Sequence, residues 1–437
     1  MDSTDALVRM ATAGLLEVPE LARHPRILER FATDVARCGV VGEDSLLKLL
    51  FLAVTSRLLE KPVSVAVKGP SSGGKSYTID QVLSFFPTTA YYVLSAMSER
   101  ALAYSSEPLS HRMLVIYEAA GLASDIASYL VRSLLSEGRV RYETVDRTKE
   151  GLRARLIERE GPTGLLVTTT AIRLHPENET RLLSVVVDDT PEQTRAVLRG
   201  LAAEDRDHHV DVSAWHALQT WLEGGEHRVT VPFADQLAEL IPPVAVRLRR
   251  DFRAVLSLIR SHAVLQQELR ERDVDGCVVA TLEDYVTVRG LVADIVSEAV
   301  EATVSPTIRE TVEAVASLAV GRSDGVSVAD VGAAMGLDKS AASRRVRAAT
   351  HLGFLNNLEE RPGRRARLVL GEALPEEVDL LPAVEALRNR CTVAGGSEGV
   401  LRDGLTSAGG RSPRGHEGRP SGRLRLEGVG DGRDTSP

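Results

Sequence analysis

A chain of 437 residues with 43% hydrophobic and 26% charged side chains has material for more than one packed core, so two or three domains and a tail are expected. Its 53 lysines and arginines against 61 aspartates and glutamates leave a formal charge of −8, which excludes a protein that coats nucleic acid over its whole surface and confines any such contact to a local basic patch. Cys38, Cys277 and Cys391 are too scattered for a zinc site or a disulfide framework. No run of about eighteen apolar residues and no secretory leader after Met1 is present, so a soluble, cytoplasmic protein with no membrane contact is expected.

In chain order, residues 1–60 read as a helical lead-in, with Leu46, Leu47, Leu49, Leu50, Val54 and Leu58 at helical spacing. Lys61-Pro62 ends it. From 61 to 203, short β-branched runs at 63–67, 113–117, 164–170 and 182–187 alternate with helical segments. Continuous apolar strands separated by helices predict an α/β fold with a parallel sheet covered on both faces. Residues 204–304 turn mainly helical and read as a lid, most clearly amphipathic over 244–269. Residues 305–375 give a helix, helix, helix, hairpin pattern. The remainder, 376–437, reads as a linker and a tail; from Cys391 onward it is rich in Gly, Arg, Ser and Pro, with too few bulky apolar groups to offset chain entropy, and disorder is expected.

The strongest chemical signal is Gly69-Pro70-Ser71-Ser72-Gly73-Gly74-Lys75-Ser76. A triphosphate crowds several charges onto neighbouring oxygens, and a backbone with little side-chain bulk can wrap it with convergent N–H groups. Lys75 is then placed for the β- and γ-phosphates, the hydroxyl of Ser76 for magnesium, and Tyr77 follows on the helix. The run 63–67 reads as the strand before this loop and 77–85 as the helix after it. The pattern predicts a P-loop binding ATP and Mg2+; no Asn-Lys-x-Asp guanine-reading motif is present.

Such a site needs an acidic group at the end of a neighbouring strand. Glu118 follows the apolar run 113–117 and precedes the small residues Ala119-Ala120-Gly121, which suits a carboxylate that holds magnesium or orients water. Position 117, where most P-loop enzymes carry Asp, is Tyr.

With these residues in view, the stretch from about Val63 to Ala302 resembles the AAA+ ATPases, especially the minichromosome maintenance helicases and their relatives on mobile elements. The resemblance implies that strand 165–170 ends in a polar sensor of the γ-phosphate, Thr170 or else Thr169, where the family more often has Asn. It implies that Glu177-Asn178-Glu179-Thr180-Arg181-Leu182-Leu183 carries an arginine finger, Arg181, acting on the ATP of a neighbouring subunit. A homo-oligomer, a ring or hexamer among the options, follows from that role. The lid then holds a second sensor arginine, Arg250 or Arg253. The charged stretch 136–159 is similar in placement to the hairpin that family members press against DNA, with Lys149 and Arg153 as its contacts; a solvated charged helix is the other reading.

Asp338 caps the third helix of the C-terminal module, which presents Lys339, Ser340, Ser343, Arg344 and Arg347 on one broad face. Arg361, Arg364, Arg365 and Arg367 flank the following turn. The module resembles the winged-helix domains of DNA-binding proteins; its basic helix and wing suit phosphate and groove contacts, and a protein-docking role is the alternative. Two readings of the whole chain result. One is a DNA-dependent AAA+ motor or loader serving replication or maintenance of a plasmid, phage or integrated element, with a primase as a possible partner. The other is a DNA-binding regulator that uses ATP as a slow switch.

Overall fold

The computed structural model describes residues 17–394 apart from 120–123, 150, 171–175, 203–209, 303, 323, 360, 362–363 and 375–379. Of the tail expected to be disordered, Cys391 to Pro437, residues 395–437 lie outside the described residues, and 391–394 are helical, which corrects the expectation there. Strands follow in the order β1 (Val65–Lys68), β2 (Tyr91–Leu94), β3 (Arg112–Ile116), β4 (Arg139–Thr148), β5 (Gly151–Glu160), β6 (Thr163–Thr169) and β7 (Leu183–Val186). Five of them form one sheet ordered β2-β3-β6-β1-β7, every pair parallel. β1 and β6 are buried at every position, as continuous apolar runs require when helices cover both faces. β2, absent from the sequence reading, is an edge strand whose short apolar run Tyr91–Leu94 is only partly buried.

Helices α1 (Ile27–Arg37) and α2 (Asp44–Thr55) precede the sheet; α3 (Lys75–Ser84) and α4 (Asp125–Glu137) belong to it. The helical stretch expected as a lid contributes α5 (Ser213–Glu223), α6 (Leu248–Leu265) and α7 (Leu282–Glu301). An aromatic cluster joins lead-in, sheet and lid. Phe31 lies 4.2 Å from Phe51, Phe51 lies 4.9 Å from Phe86, and Trp215 meets Phe31, Phe51 and Phe85 edge-on at 5.6, 5.6 and 5.8 Å. Such pairs add to area burial, so α1, α2, the end of α3 and α5 share a single core. The other face of the sheet is covered by Leu130, Val131 and Leu134 of α4 against Leu114, Ile116, Leu165 and Val167.

β4 and β5 form an antiparallel hairpin in register from Arg139↔Glu160 to Thr148↔Gly151. The charged-helix reading of this stretch is thereby corrected. Its charges sit as cross-strand pairs, Arg141 with Glu158 at 2.7 Å and Arg155 with Asp146 at 3.4 Å, a sheet arrangement that opposite charges stabilise.

Helices α8 (Pro306–Ala319), α9 (Val328–Ala334) and α10 (Lys339–His351) and a hairpin of β8 (Leu355–Asn357) and β9 (Leu368–Leu370) follow, in the order read from the sequence. Val312, Val315, Val331, Val346, Phe354, Leu355 and Leu368 give this module its own core. Beyond it, the expected linker carries ordered structure over part of its length. Leu380, Leu381 and Leu387 are buried in the main core, Tyr285 donates to the Pro382 carbonyl at 2.6 Å, and a last helix runs over Val384–Ala394. The physical reason is those three leucines, which lie before the Gly- and Ser-rich composition begins. No helix among the described residues is long and apolar enough to cross a membrane.

One polar group pins the lid. The Asp284 carboxylate is fully buried and accepts hydrogen bonds from His262 at 2.6 Å, from Arg270 at 2.7 and 3.1 Å, and from the backbone N–H of Thr281 at 2.7 Å. Burial alone raises its pKa, but the hydrogen bonds and charges of His262 and Arg270 outweigh burial and hold it below the usual carboxylate range. A depressed folded pKa contributes stability that is present above the unfolded value, near 4, and lost as pH falls through the folded value. Asp284→Ala should destabilise the fold by about 3–5 kcal/mol, because it strands the buried Arg270 charge. Denaturant titrations at pH 7 and below pH 4 check this, since the deficit should shrink in acid.

Candidate nucleotide site

The glycine-rich segment leaves the C-terminal end of β1 and enters α3 at Lys75. Gly74 adopts φ 76°, a left-handed conformation that glycine takes without steric cost, and so turns the chain into the helix. A Cβ on Gly69 would stand 2.4 Å from Cγ2 of Val187, so the loop's entry is packed too closely for any side chain. Val187 follows β7, and its N–H bonds the Lys68 carbonyl at 2.9 Å. Lys75 is 8% exposed, and its ammonium donates to the carbonyls of Gly69 at 3.0 Å and Pro70 at 2.6 Å, poised over the loop. Ser71, Ser72 and Ser76 are exposed around it.

Three contacts around this loop reach segments distant in sequence. Tyr77 donates from its hydroxyl to the Cys38 carbonyl at 3.0 Å, bringing the turn at 38–43 against α3. Glu43 of that turn accepts the Asp188 N–H at 3.0 Å; burial, chiefly, raises its carboxyl pKa. Lys68, buried at the end of β1, is ion-paired with Glu179, which ties the loop's strand to the segment holding Arg181.

Glu118 is exposed just beyond β3 at φ 71°, a conformation that costs a non-glycine residue about 1–3 kcal/mol. Its N–H is held by the Thr168 hydroxyl at 2.9 Å. Thr170 is exposed at the end of β6, whereas Thr169 is buried. Tyr117 donates its hydroxyl to the Asp80 carboxylate of α3. Burial, then the Asp80 hydrogen bond and charge, push the phenol above its ordinary pKa, so it stays a proton donor.

Arg181 lies at the other edge of the sheet. Leu183 opens β7 opposite Val65, the first residue of β1, while the loop departs after Lys68; at the rise of a strand this separates the two edges by about 10 Å. Arg181 donates to the Ser136 hydroxyl at 2.8 Å, and Asn178 donates to Ser128 at 2.7 Å. Ser128, Arg132 and Ser136 recur every fourth residue of α4, so Arg132 faces the same turn. Arg250 hydrogen-bonds Thr180, and Arg247, paired with Asp251 at 3.0 Å, reaches the Leu182 carbonyl at 3.4 Å. Arg250 therefore sits beside Arg181, and Arg253 is exposed one turn on. Burial, then the charges of Arg250 and Arg132, lower the Arg181 pKa from its ordinary value.

Lys339, Arg344 and Arg347 are exposed on one face of α10, whose first turn is capped by Asp338 accepting from the N–H groups of Ser340 and Ala341 at 2.8 and 2.9 Å. Arg364, Arg365 and Arg367 are exposed on the hairpin. The Arg365 guanidinium is engaged by Asp330 at 3.0 Å and Ser327 at 2.9 Å, and Arg367 reaches the Asp324 carbonyl at 3.0 Å. Lys149 and Arg153 lie near the tip of the β4–β5 hairpin.

The loop fits a triphosphate: its entry excludes side chains, its backbone caps a ten-residue helix, and a buried lysine leans over it. The exposed Ser76 hydroxyl is an oxygen donor of the kind magnesium takes. No protein-family description and no curated protein matches the chain. Among solved structures it is similar to a full-length MCM homolog from Methanopyrus kandleri, at 15% identity over 69% of this chain and a TM-score of 0.42, and it spans 62% of that chain's length. It is also similar to the Aeropyrum pernix ORC1 protein in complex with DNA, at 15% identity, 85% and 97% coverage and a TM-score of 0.26. Brucella abortus NtrX in complex with ADP is similar at 11% identity, 74% and 72% coverage and a TM-score of 0.26.

Proposed function

We propose that this chain is an ATP-hydrolysing AAA+ ATPase that acts on DNA as a homo-oligomer. The observation that carries the reading is the division of the site between the two edges of one sheet, with the P-loop at one and Arg181 at the other. A side chain placed there serves a neighbour's nucleotide better than its own.

In this reading the N–H groups of 69–76 wrap the phosphates, and Lys75 exchanges the Gly69 and Pro70 carbonyls for phosphate oxygens. Magnesium, when bound, neutralises phosphate charge, with Ser76 and Glu118 placed to hold it. Glu118 orients the attacking water, and Thr170, exposed where Thr169 is not, contacts the γ-phosphate. Arg181 enters from the adjoining copy with Arg250 and Arg132 beside it, which makes Arg250 rather than Arg253 the better second sensor, acting in trans. The turn at 38–43 borders α3 through Tyr77. Replication or maintenance of a mobile element, with a primase as partner, belongs to the same proposal. Tyr117 in the usual place of Asp favours one second reading, a DNA-binding regulator with slow turnover.

The 306–374 module supplies the DNA contact as a winged helix, through Lys339, Arg344, Arg347 and Arg364 and, to a lesser degree, Arg365 and Arg367. Removing 306–437 altogether would strip Leu380, Leu381 and Leu387 from the main core, so substitutions give the cleaner test. Each lost phosphate contact should lower the slope of log affinity against log salt by roughly one unit. Arg344→Ala and Arg347→Ala should each do so; Arg365→Ala should do less, because Asp330 already offsets its charge. An unchanged slope in the Arg344, Arg347 double variant would move DNA contact to Lys149 and Arg153. ATPase rates with and without DNA, alongside mass in solution, separate motor from switch.

A further inference from the structure

Position 117 presents a discrepancy that the nucleotide site resolves. The strand-end place that suits a metal carboxylate holds a tyrosine, and that tyrosine reaches across to α3 and donates its hydroxyl to Asp80. Asp80 stands four residues after Ser76 on the same helix. Residues at that spacing lie on one face with their Cβ atoms about 5–6 Å apart, so the Ser76 hydroxyl and the Asp80 carboxylate belong to one surface, and Tyr117 abuts it. Both are exposed. Among the described residues no lysine, arginine or histidine forms an ion pair with Asp80, and a carboxylate offers about four lone-pair sites, of which the phenol engages one.

We propose that Asp80, steadied by the Tyr117 hydroxyl, is the carboxylate that positions magnesium beside Ser76, in place of the acidic residue that position 117 lacks. The inference rests on the nucleotide reading above and adds a residue to it. Magnesium retains several waters and is usually bound through one or two carboxylates plus phosphate oxygens, so a carboxylate one helical turn from Ser76 can act through a coordinated water. Tyr117 then has the part of an orienting partner: it fixes the carboxylate rotamer and contributes no charge. Without magnesium the Asp80 charge faces the phosphates and opposes them. With magnesium it attracts.

The competing role is a clamp, a Tyr–Asp bond that only sets α3 against β3. The two differ in what each single substitution does. A fluorescent, non-hydrolysable ATP analogue, titrated onto the full chain over a magnesium series and in EDTA, measures the metal dependence of binding without turnover. Asp80→Asn should raise the magnesium concentration at half-maximal binding by about 10- to 100-fold, while affinity in EDTA stays equal or increases. Tyr117→Phe should give a smaller change in the same direction, because the carboxylate remains. Adding Tyr117→Asp to the Asp80→Asn chain should restore metal dependence, which no repair of a clamp would do; melting temperatures verify that each variant is folded. Full metal dependence in folded Asp80→Asn overturns the proposal and leaves the metal to Ser76 and Glu118. A wild-type chain that binds no analogue with or without magnesium overturns the nucleotide reading itself.

Discussion

Replacing Lys75 with Ala should lower ATP turnover by about 100- to 1,000-fold and leave the fold intact. Lys75 opens α3, and its ammonium is the buried cation held directly over the loop by the carbonyls of Gly69 and Pro70. As the γ-phosphate transfers, charge spreads over its equatorial oxygens, and a donor already aimed at that position stabilises the transition state without reorganising solvent. Losing one such donor typically costs about 2.7–4 kcal/mol. The fold should survive because alanine is the best helix former and the start of α3 also rests on Gly74 and on Thr78 N–H bonding the Gly74 carbonyl at 2.8 Å. Steady-state hydrolysis together with thermal melting checks both halves. Near-normal turnover in a folded Lys75→Ala chain would remove this loop from the chemistry.

The parts of this molecule that were legible beforehand are those written in local pattern. β1, β3, β6 and β7 are short apolar runs that both faces of a parallel sheet demand, and the loop after β1 carries its chemistry in adjacent residues. The helix, helix, helix, hairpin order of 306–370 likewise follows from a capping Asp338 and from local periodicity. Contacts between residues distant in sequence were not legible. Lys68 and Glu179 are 111 residues apart, and nothing near either announces the pair. Asp80 reads as an exposed charge on a helix until Tyr117, 37 residues on, is seen to bind it. Arg250 and Arg253 share one helix and nearly one environment in sequence; only the packing of the start of α6 against Thr180 and Leu182 separates them. The hairpin stayed open for a different reason: Val140 and Tyr142, and Leu152, Ala154 and Leu156, alternate with charges at a strand's period, but the runs are short and the density of charge around them masks the signal.

Arg181→Ala should bind ATP with little change and hydrolyse it about 1,000-fold more slowly, or slower still, the range expected for loss of an arginine that contacts the transferring phosphoryl group. In the proposed assembly its target is a neighbour's P-loop: Arg181 precedes β7, whose first residue pairs with Val65 at the end of β1 away from the loop, and it donates to Ser136. Arg250 and Arg132 lie close enough to add their charges to that of Arg181, so in the proposed assembly a neighbour's polyphosphate would meet converging positive charge. Arg181→Lys should recover only part of the rate, because an ammonium cannot present the planar fork of a guanidinium. The decisive measurement is mixing. Lys75→Ala lacks a working P-loop but keeps the finger, and Arg181→Ala keeps the P-loop but lacks the finger. In a random equimolar assembly about a quarter of the head-to-tail interfaces then join a sound P-loop to a sound finger, so two nearly inactive proteins should regain measurable turnover together. No recovery in a mixture whose co-assembly is verified by mass, or normal hydrolysis by Arg181→Ala as a monomer, would place the stabilising cation within the same chain and leave the edge at Arg181 without a part in hydrolysis.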